Sequence, residues 1–363
     1  MIDRETALLV QLAERPEDRA LRLVFADGLL ERGDPRGEVI ALCARGELSL
    51  TEARKVARLT TQHGPSWLGP LAAVAELPRT RFVDGFLAEL VCASRSPAHF
   101  AALVGEPRLA TVSSLVVPPS QQPSELGAFL GHPVLAGLTN LELGASDWRQ
   151  LRHARLPMRP PRVAVSSWGV FERELAPLAD VALVRGARTL GLSTTEFINA
   201  LVVQDLFEAL IAQGSVLQGF DEVQLMARYG VLEGSAAWLL AADRLGRAVP
   251  EVEAWGVESG EVALTRTRGD DGAFGHLVID LSRPEGQGEK QLAPAAGRTS
   301  TEVRIATAAS VLVLLGPARL TSVEVKLAKG ARLRARERST LVAAARRSGS
   351  LERFTVQGET VLP

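Results

Sequence analysis

At 363 residues, 46% of them hydrophobic and 23% charged, the chain has ample apolar surface to bury, which excludes an intrinsically disordered segment. Its 41 Lys and Arg against 42 Asp and Glu leave a net charge of -1, which excludes a global field drawing it to nucleic acid, membrane or acidic substrates, so any electrostatic partner must meet a local patch. The length suits two or three compact domains or one elongated repeat array.

The chain opens Met1-Ile2-Asp3-Arg4-Glu5, with acids where a signal peptide needs a basic region. No apolar run approaches the roughly 18 residues of a membrane span, so a cytoplasmic location without membrane contact is expected. From Asp3 to about residue 76 apolar residues recur at three- and four-residue spacing, which predicts a small helical bundle. Asp3 is placed to cap a first helix carrying Leu8, Leu9 and Leu12, ended by Pro16. A second helix is expected to bury Leu21, Val24, Phe25 and Leu29 and to break at Arg32-Gly33-Asp34-Pro35-Arg36-Gly37. Ser49 with Glu52 forms a capping box for a helix over Thr51 to Gln62. Cys43 and Cys92 each lie in a hydrophobic stretch. Two cysteines exclude a disulfide framework, though not one bridge, and free buried thiols suited to a reducing compartment are the expectation.

Within this bundle, Arg22-Leu23-Val24-Phe25-Ala26-Asp27, Leu29 and Glu31-Arg32-Gly33-Asp34-Pro35-Arg36-Gly37-Glu38 form a long motif. It resembles the hallmark of the repeat-companion domain, a module of about forty residues found in myxobacterial and planctomycete genomes, which makes a bacterial source the expectation. The match departs at Gly28, where that family usually carries Trp. The resemblance implies a neighbouring repeat array, often leucine-rich, and implies no chemistry. Read on their own, Asp27, Glu31, Asp34 and Glu38 alternate with Arg22, Arg32 and Arg36, as in an ion-paired corner between two helices.

From about Phe82 the texture changes to short β-like runs alternating with helical runs. The pattern apolar-x-x-apolar-x-apolar recurs at Val112-Leu115-Val117, Leu138-Leu141-Leu143, Val163-Val165, Ala187-Leu190-Leu192 and Phe220-Val223-Leu225. It continues at Val252-Trp255-Val257, Phe274-Leu277-Ile279, Val303-Ile305, Leu320-Val323-Val325 and Leu351-Phe354-Val356. Phe86 to Val91 opens the series. Amphipathic stretches at Ser124–Leu130, Val170–Leu178, Leu201–Ile211, Ser235–Leu245 and Leu333–Ala345 lie between the strands. Each strand-plus-helix unit has one apolar face that only stacking can bury. The expected fold is therefore α/β: a degenerate leucine-rich-repeat-like solenoid over 79–363, strands concave and helices convex, behind an all-α module over 1–78. An ordinary parallel α/β domain is the alternative. The usual asparagine ladder is missing, since Asn140 and Asn199 are the only asparagines. Residues 258–300 interrupt the array, with a β-hairpin expected from Glu261–Thr267 and His276–Leu281 and a surface loop over Pro284–Arg298.

Motifs for chemistry are missing. No glycine-rich loop ends in Lys-Ser or Lys-Thr, no histidine or cysteine has a partner at metal-ligand spacing, and no serine elbow occurs. His276 and Asp280 share one strand face, but their separation of roughly 13 Å is too great for contact. No catalytic residue, cofactor or metal is expected, and the chain reads as a non-catalytic scaffold that binds another protein. Residues between the core positions of each strand should line the concave surface. They are Asn140, Glu142, Arg162, Thr189, Glu222, Gln224, Met226, Glu302, Arg304, Glu324 and Lys326. A nucleic-acid adaptor is the alternative, through Lys326, Lys329, Arg332, Arg334, Arg336, Arg338, Arg346 and Arg347 around the single acid Glu337. An enzyme without a recognisable motif is the third reading.

Overall fold

The fold comes from a computed structural model. It describes the chain apart from residues 1–3, 16–17, 94–96, 119–123, 152–153, 155, 168–185, 195–209, 211–216, 218, 228–231, 241–251, 260–261, 269–272, 282–299, 316–317, 319, 328–330, 349–350 and 363. The protein is α/β, with thirteen strands among the described residues, mostly parallel. The chain divides into two units, Met1–Val163 with Val181–Gly186, and Ala164–Asp180 with Ala187–Pro363. No helix among the described residues is long and apolar enough to cross a membrane.

The first unit opens with four helices, α1 (Arg4–Glu14), α2 (Arg19–Leu30), α3 (Pro35–Cys43) and α4 (Leu50–Trp67). Three of their starts are legible as caps. Asp18 accepts the Leu21 N–H at 3.0 Å and Asp34 the Arg36 N–H at 2.9 Å, while Ser49 and Glu52 exchange bonds as a capping box. Each such cap stabilises its helix by about 1 kcal/mol. Leu9, Leu12, Phe25, Ala26, Leu29 and Ile40 pack into one core with Phe86 and Ala110, so the helices bury their apolar face against the segments that follow them. Val24, expected on that face, is exposed. Residues 32–37 are a turn with Gly33 at φ 73°, and α3 starts inside it with Pro35 in its first turn.

The motif charges do not pair with one another across the α2–α3 corner. Arg22 reaches Asp84 at 3.1 Å, Arg32 reaches Glu5 at 2.7 Å, and Glu38 pairs with Lys55. Backbone proximity holds the corner instead: a Cβ on Gly37 would stand 2.6 Å from the Ala26 carbonyl oxygen. The Arg36 guanidinium is buried, its Nε donating to the Gly85 carbonyl at 2.7 Å and its Cζ lying 5.5 and 5.6 Å from the rings of Phe25 and Phe86.

The strands of this unit begin with the hairpin β1 (Arg81–Val83) and β2 (Phe86–Val91), turned at Asp84 and Gly85, both at positive φ. Next come β3 (Ser114–Val116) and β4 (Asn140–Gly144), each parallel to its predecessor. Leu90, Leu115 and Leu141 fall in register and are fully buried. Between strands run α5 (Pro97–Ala102) and α6 (Ser124–Leu130), joined by the Phe100–Phe129 ring contact at 5.3 Å, and α7 (Ala145–Gln150) follows β4. The unit boundary falls inside β5 (Arg162–Ser167).

In the second unit β6 (Thr189–Thr194), β7 (Glu222–Ala227) and β8 (Ala254–Ser259) are parallel neighbours. β9 (Val262–Thr267) then runs antiparallel between β8 and β10 (His276–Leu281). The parallel direction resumes through β11 (Ser322–Leu327) and β12 (Arg353–Val356), and β13 (Glu359–Leu362) closes the series as a hairpin. Within each unit the strands are ordered as in the chain. One core row crosses the second unit: Leu190, Val223, Trp255, Arg266, Leu277, Val323 and Phe354, all almost wholly buried. Among the described residues this unit also holds α8 (Leu232–Leu240), α9 (Ser300–Leu314) and α10 (Ala335–Ala345); α8 rests on β8, with the Trp238 Nε1–H donating to the Gly256 carbonyl at 2.7 Å, and α9 packs against α8 and α10.

One expectation is corrected here. Val303-Ile305 is not a strand but part of α9, because Ile305, Ala308, Leu312 and Leu315 are buried at helical spacing, a longer signal than the alternation of two residues. The hairpin expected from Glu261–Thr267 and His276–Leu281 is found as β9 and β10, and β9 also pairs on its other edge with β8. The helical stretches expected over Val170–Leu178 and, apart from Leu210, Leu201–Ile211 lie outside the described residues, as do the loop over Pro284–Arg298 and the last residues of Ser235–Leu245.

Candidate functional site

Because side chains alternate along a strand, the residues opposite the core row form the second face of each sheet segment. In the second unit the register sets Thr189, Glu222, Ala254, Thr267, His276, Ser322 and Arg353 side by side, one from each strand. A second row runs through Gly191, Gln224, Gly256, Thr265, Val278, Glu324 and Thr355. Glu222, Gln224, Thr265, Thr267, His276, Ser322 and Glu324 are half-buried and Lys326 and Arg353 exposed, so this face is the polar, reachable one.

Two hydrogen-bonded groups stand on it. Around β7 the Gln224 Nε2–H donates to Glu222 Oε1 at 2.7 Å, and the Thr189 hydroxyl donates to Glu222 Oε2 at 3.5 Å. Gly256 leaves room for this arrangement: its Cβ would stand 3.0 Å from Gln224 Cγ and 3.4 Å from Glu222 Oε1. The second group lies on β10 to β12, where His276 Nδ1 is 2.5 Å from the Ser322 hydroxyl oxygen. Burial lowers the His276 pKa below its usual value; Glu324 opposes that shift, while Lys326 and Arg353 reinforce it. The face therefore offers carboxylate acceptors at Glu222 and Glu324 and donors at Gln224, Lys326 and Arg353, spaced at about the 4.8 Å interval between strands. Such a surface can bond to polypeptide groups. Among the described residues no three His, Cys, Asp or Glu side chains gather to hold a metal.

The expected residues divide between places. Thr189, Glu222, Gln224, Glu324 and Lys326 share the second unit's polar face. Met226 is on β7, but its side chain is outside the described ones. Asn140, Glu142 and Arg162 belong to the first unit. Asn140 donates from Nδ2 to the Ser114 hydroxyl at 2.8 Å, Arg162 starts β5 half-buried, and Glu142 is 2% exposed, which removes it from any open surface. Glu302 and Arg304 are on α9, not on a strand. Arg304 is buried and donates to the Leu281 carbonyl at 3.3 Å, so both leave the face. Their placement followed from reading 303–305 as a strand.

Sequence reasoning missed Ser322, Arg353 and His276. The rule that selected Asn140, Thr189 and Glu222, one residue before the central core position, also selects Ser322 before Val323 and Arg353 before Phe354. The basic residues near the C-terminus surround a different element: Arg332, Arg334, Arg336, Arg338, Arg346 and Arg347 are exposed, while Leu333, Leu341 and Ala344 are buried. Glu337 is tucked in, accepting the Arg334 N–H at 2.6 Å at the start of α10. Compared with models of protein families, with curated proteins and with solved structures, the chain matches none.

Proposed function

We propose that this chain is a non-catalytic interaction scaffold, a degenerate leucine-rich-repeat-like solenoid of cytoplasmic residence that binds a protein partner through the polar strand face of its second unit. The helical module at the N-terminus, with its repeat-companion motif, acts as the cap over the first strands. The observation that carries this reading is the row from Thr189 to Arg353, one side chain from each of β6 to β12 in chain order, opposite a buried core row that is apolar except for Arg266. A face built this way repeats every strand spacing, which suits an extended polypeptide surface better than a small substrate. The hairpins at β1–β2 and β12–β13 agree with it, since a repeat array needs its ends covered.

The test is a comparison of captured partners. The intact chain, a variant with Glu222→Lys and Glu324→Lys, and a control with Arg336→Glu and Arg338→Glu on α10 are each presented to native lysate, with and without nuclease. Loss of a protein partner in the face variant alone supports the scaffold. Unchanged capture by the face variant removes it, and a partner that is lost in the α10 control and after nuclease treatment transfers the function to nucleic acid.

A further inference from the structure

Within the first unit, a cavity of about 240 Å³ opens between the start of α1, the start of α3, the end of α4 and the turn Pro107–Thr111, lined by Glu5, Asp34, Arg36, His63, Trp67 and Arg108 among others. Its charges are not equivalent. Glu5 is bound to Arg32 at 2.7 Å, Arg108 to Glu106 at 2.7 Å, and Asp34 accepts the Arg36 backbone N–H at 2.9 Å. Arg36 stands apart. It is 4% exposed, only its Nε meets a carbonyl, and no acceptor among the described residues meets its terminal nitrogens.

A guanidinium almost wholly removed from bulk water, with one hydrogen bond and its terminal nitrogens turned to what water the cavity admits, is costly, and ring contacts with Phe25 and Phe86 offset only part of that cost. The planar fork of a guanidinium matches the two oxygens of a carboxylate. One wall of the cavity is aromatic, with His63 and Trp67 side by side, ring centres 6.5 Å apart and planes 21° apart. The carboxylates of Glu5 and Asp34 on the same lining disfavour a doubly charged oxyanion such as phosphate and admit a singly charged one. We propose that this cavity is a binding site for a small planar carboxylic acid, its carboxylate held by Arg36 and its flat body laid against Trp67.

Calorimetric titration of the full chain with sodium benzoate, benzamide and inorganic phosphate tests this. The expected result is saturable binding of benzoate only, with affinity falling by about tenfold or more in Arg36→Gln, as for loss of a charge-assisted bond. Because Arg36 is also packed in the core, Ser66→Phe provides a second variant: Ser66 lines the cavity near its exposed edge, and a ring there fills the space while leaving Arg36 in place. Benzoate binding lost in Ser66→Phe supports the site even where Arg36→Gln does not fold. Equal binding of benzamide, preference for phosphate, no binding of benzoate, or unchanged binding in Ser66→Phe overturns it.

Discussion

Arg266 donates from Nε to the backbone carbonyl of Phe274 at 2.9 Å, from a strand position where every neighbour in the same row is apolar. Its NH2 group meets the same carbonyl and its NH1 reaches the Leu239 carbonyl at 2.6 Å, so one buried guanidinium ties β9 to the residues before β10 and to the end of α8. At 1% exposure it substitutes for missing backbone partners where the inserted antiparallel strand interrupts the parallel array. Replacing it with a hydrophobic residue of similar length removes the charge and takes the guanidinium donors away from both carbonyls. Arg266→Met is therefore expected to lower stability by about 2–4 kcal/mol, read as a shift in urea midpoint from the fluorescence of Trp238 and Trp255, which stand in the same core. A midpoint within error of the parent would show that the carbonyls have other partners.

Gly37 makes a separate prediction in the first unit. A Cβ there would stand 2.6 Å from the Ala26 carbonyl oxygen and 2.9 Å from the Leu30 backbone nitrogen, both rigid parts of α2. Alanine is ordinarily the better helix former, so a purely local view predicts that Gly37→Ala stabilises. Packing predicts the reverse: α2 and α3 must separate, at a cost of about 1–3 kcal/mol. Thermal unfolding of Gly37→Ala beside the control Gly28→Ala, whose Cβ meets nothing within 4 Å, separates the two. A rise in midpoint for Gly37→Ala would refute the close crossing.

Most strands were legible because Leu, Val and Phe at fixed spacing mark a face that must be buried, and burial is what selects register: Leu115, Leu141, Leu190 and Val223 are all found in the core. Position 304 shows where that signal misleads. In Val303-Arg304-Ile305 a two-residue alternation coincides with part of a helical stripe, and only the buried run on to Leu315 tells them apart. Arg266 lies beyond such a reading altogether, because its burial depends on carbonyls that tertiary contact brings from 239 and 274. Turn chemistry was legible and unused: Asp84-Gly85 and Gln357-Gly358 both take positive φ at both positions, so the β1–β2 and β12–β13 hairpins share one turn form. The face residues themselves carry no composition signal. Glu222 and Gln224 have room to bond to each other beside Gly256 on the next strand, which register alone supplies.

The two cysteines are free, and burial pushes both thiols up, Cys43 to about 11 with help from Asp84 and Cys92 to about 12. The thiolate is the reactive form, so near pH 8 both should react with a disulfide reagent far more slowly in the native chain than in urea, by roughly 100-fold or more. Timed absorbance with Ellman's reagent reads both rates. Native labelling of Cys92 at the denatured rate would contradict its place between β2 and β3.

His276 gives the pH dependence of the second unit. Burial beside Ser322 lowers its folded pKa below the roughly 6.5 of an unfolded chain. The unfolded state therefore takes up a proton first as pH falls, so the histidine's contribution is fully present above the unfolded value and is lost as pH drops through it towards the folded one. The charges facing the ring, Glu324, Lys326 and Arg353, modulate this without reversing it. Urea midpoints at pH 8 and pH 5 should fall more for the parent than for His276→Gln, whose amide keeps a partner for the Ser322 hydroxyl but does not titrate. Equal falls in the two proteins would mean that His276 binds its proton as readily folded as unfolded, and that the polar face holds the ring in water rather than against the sheet.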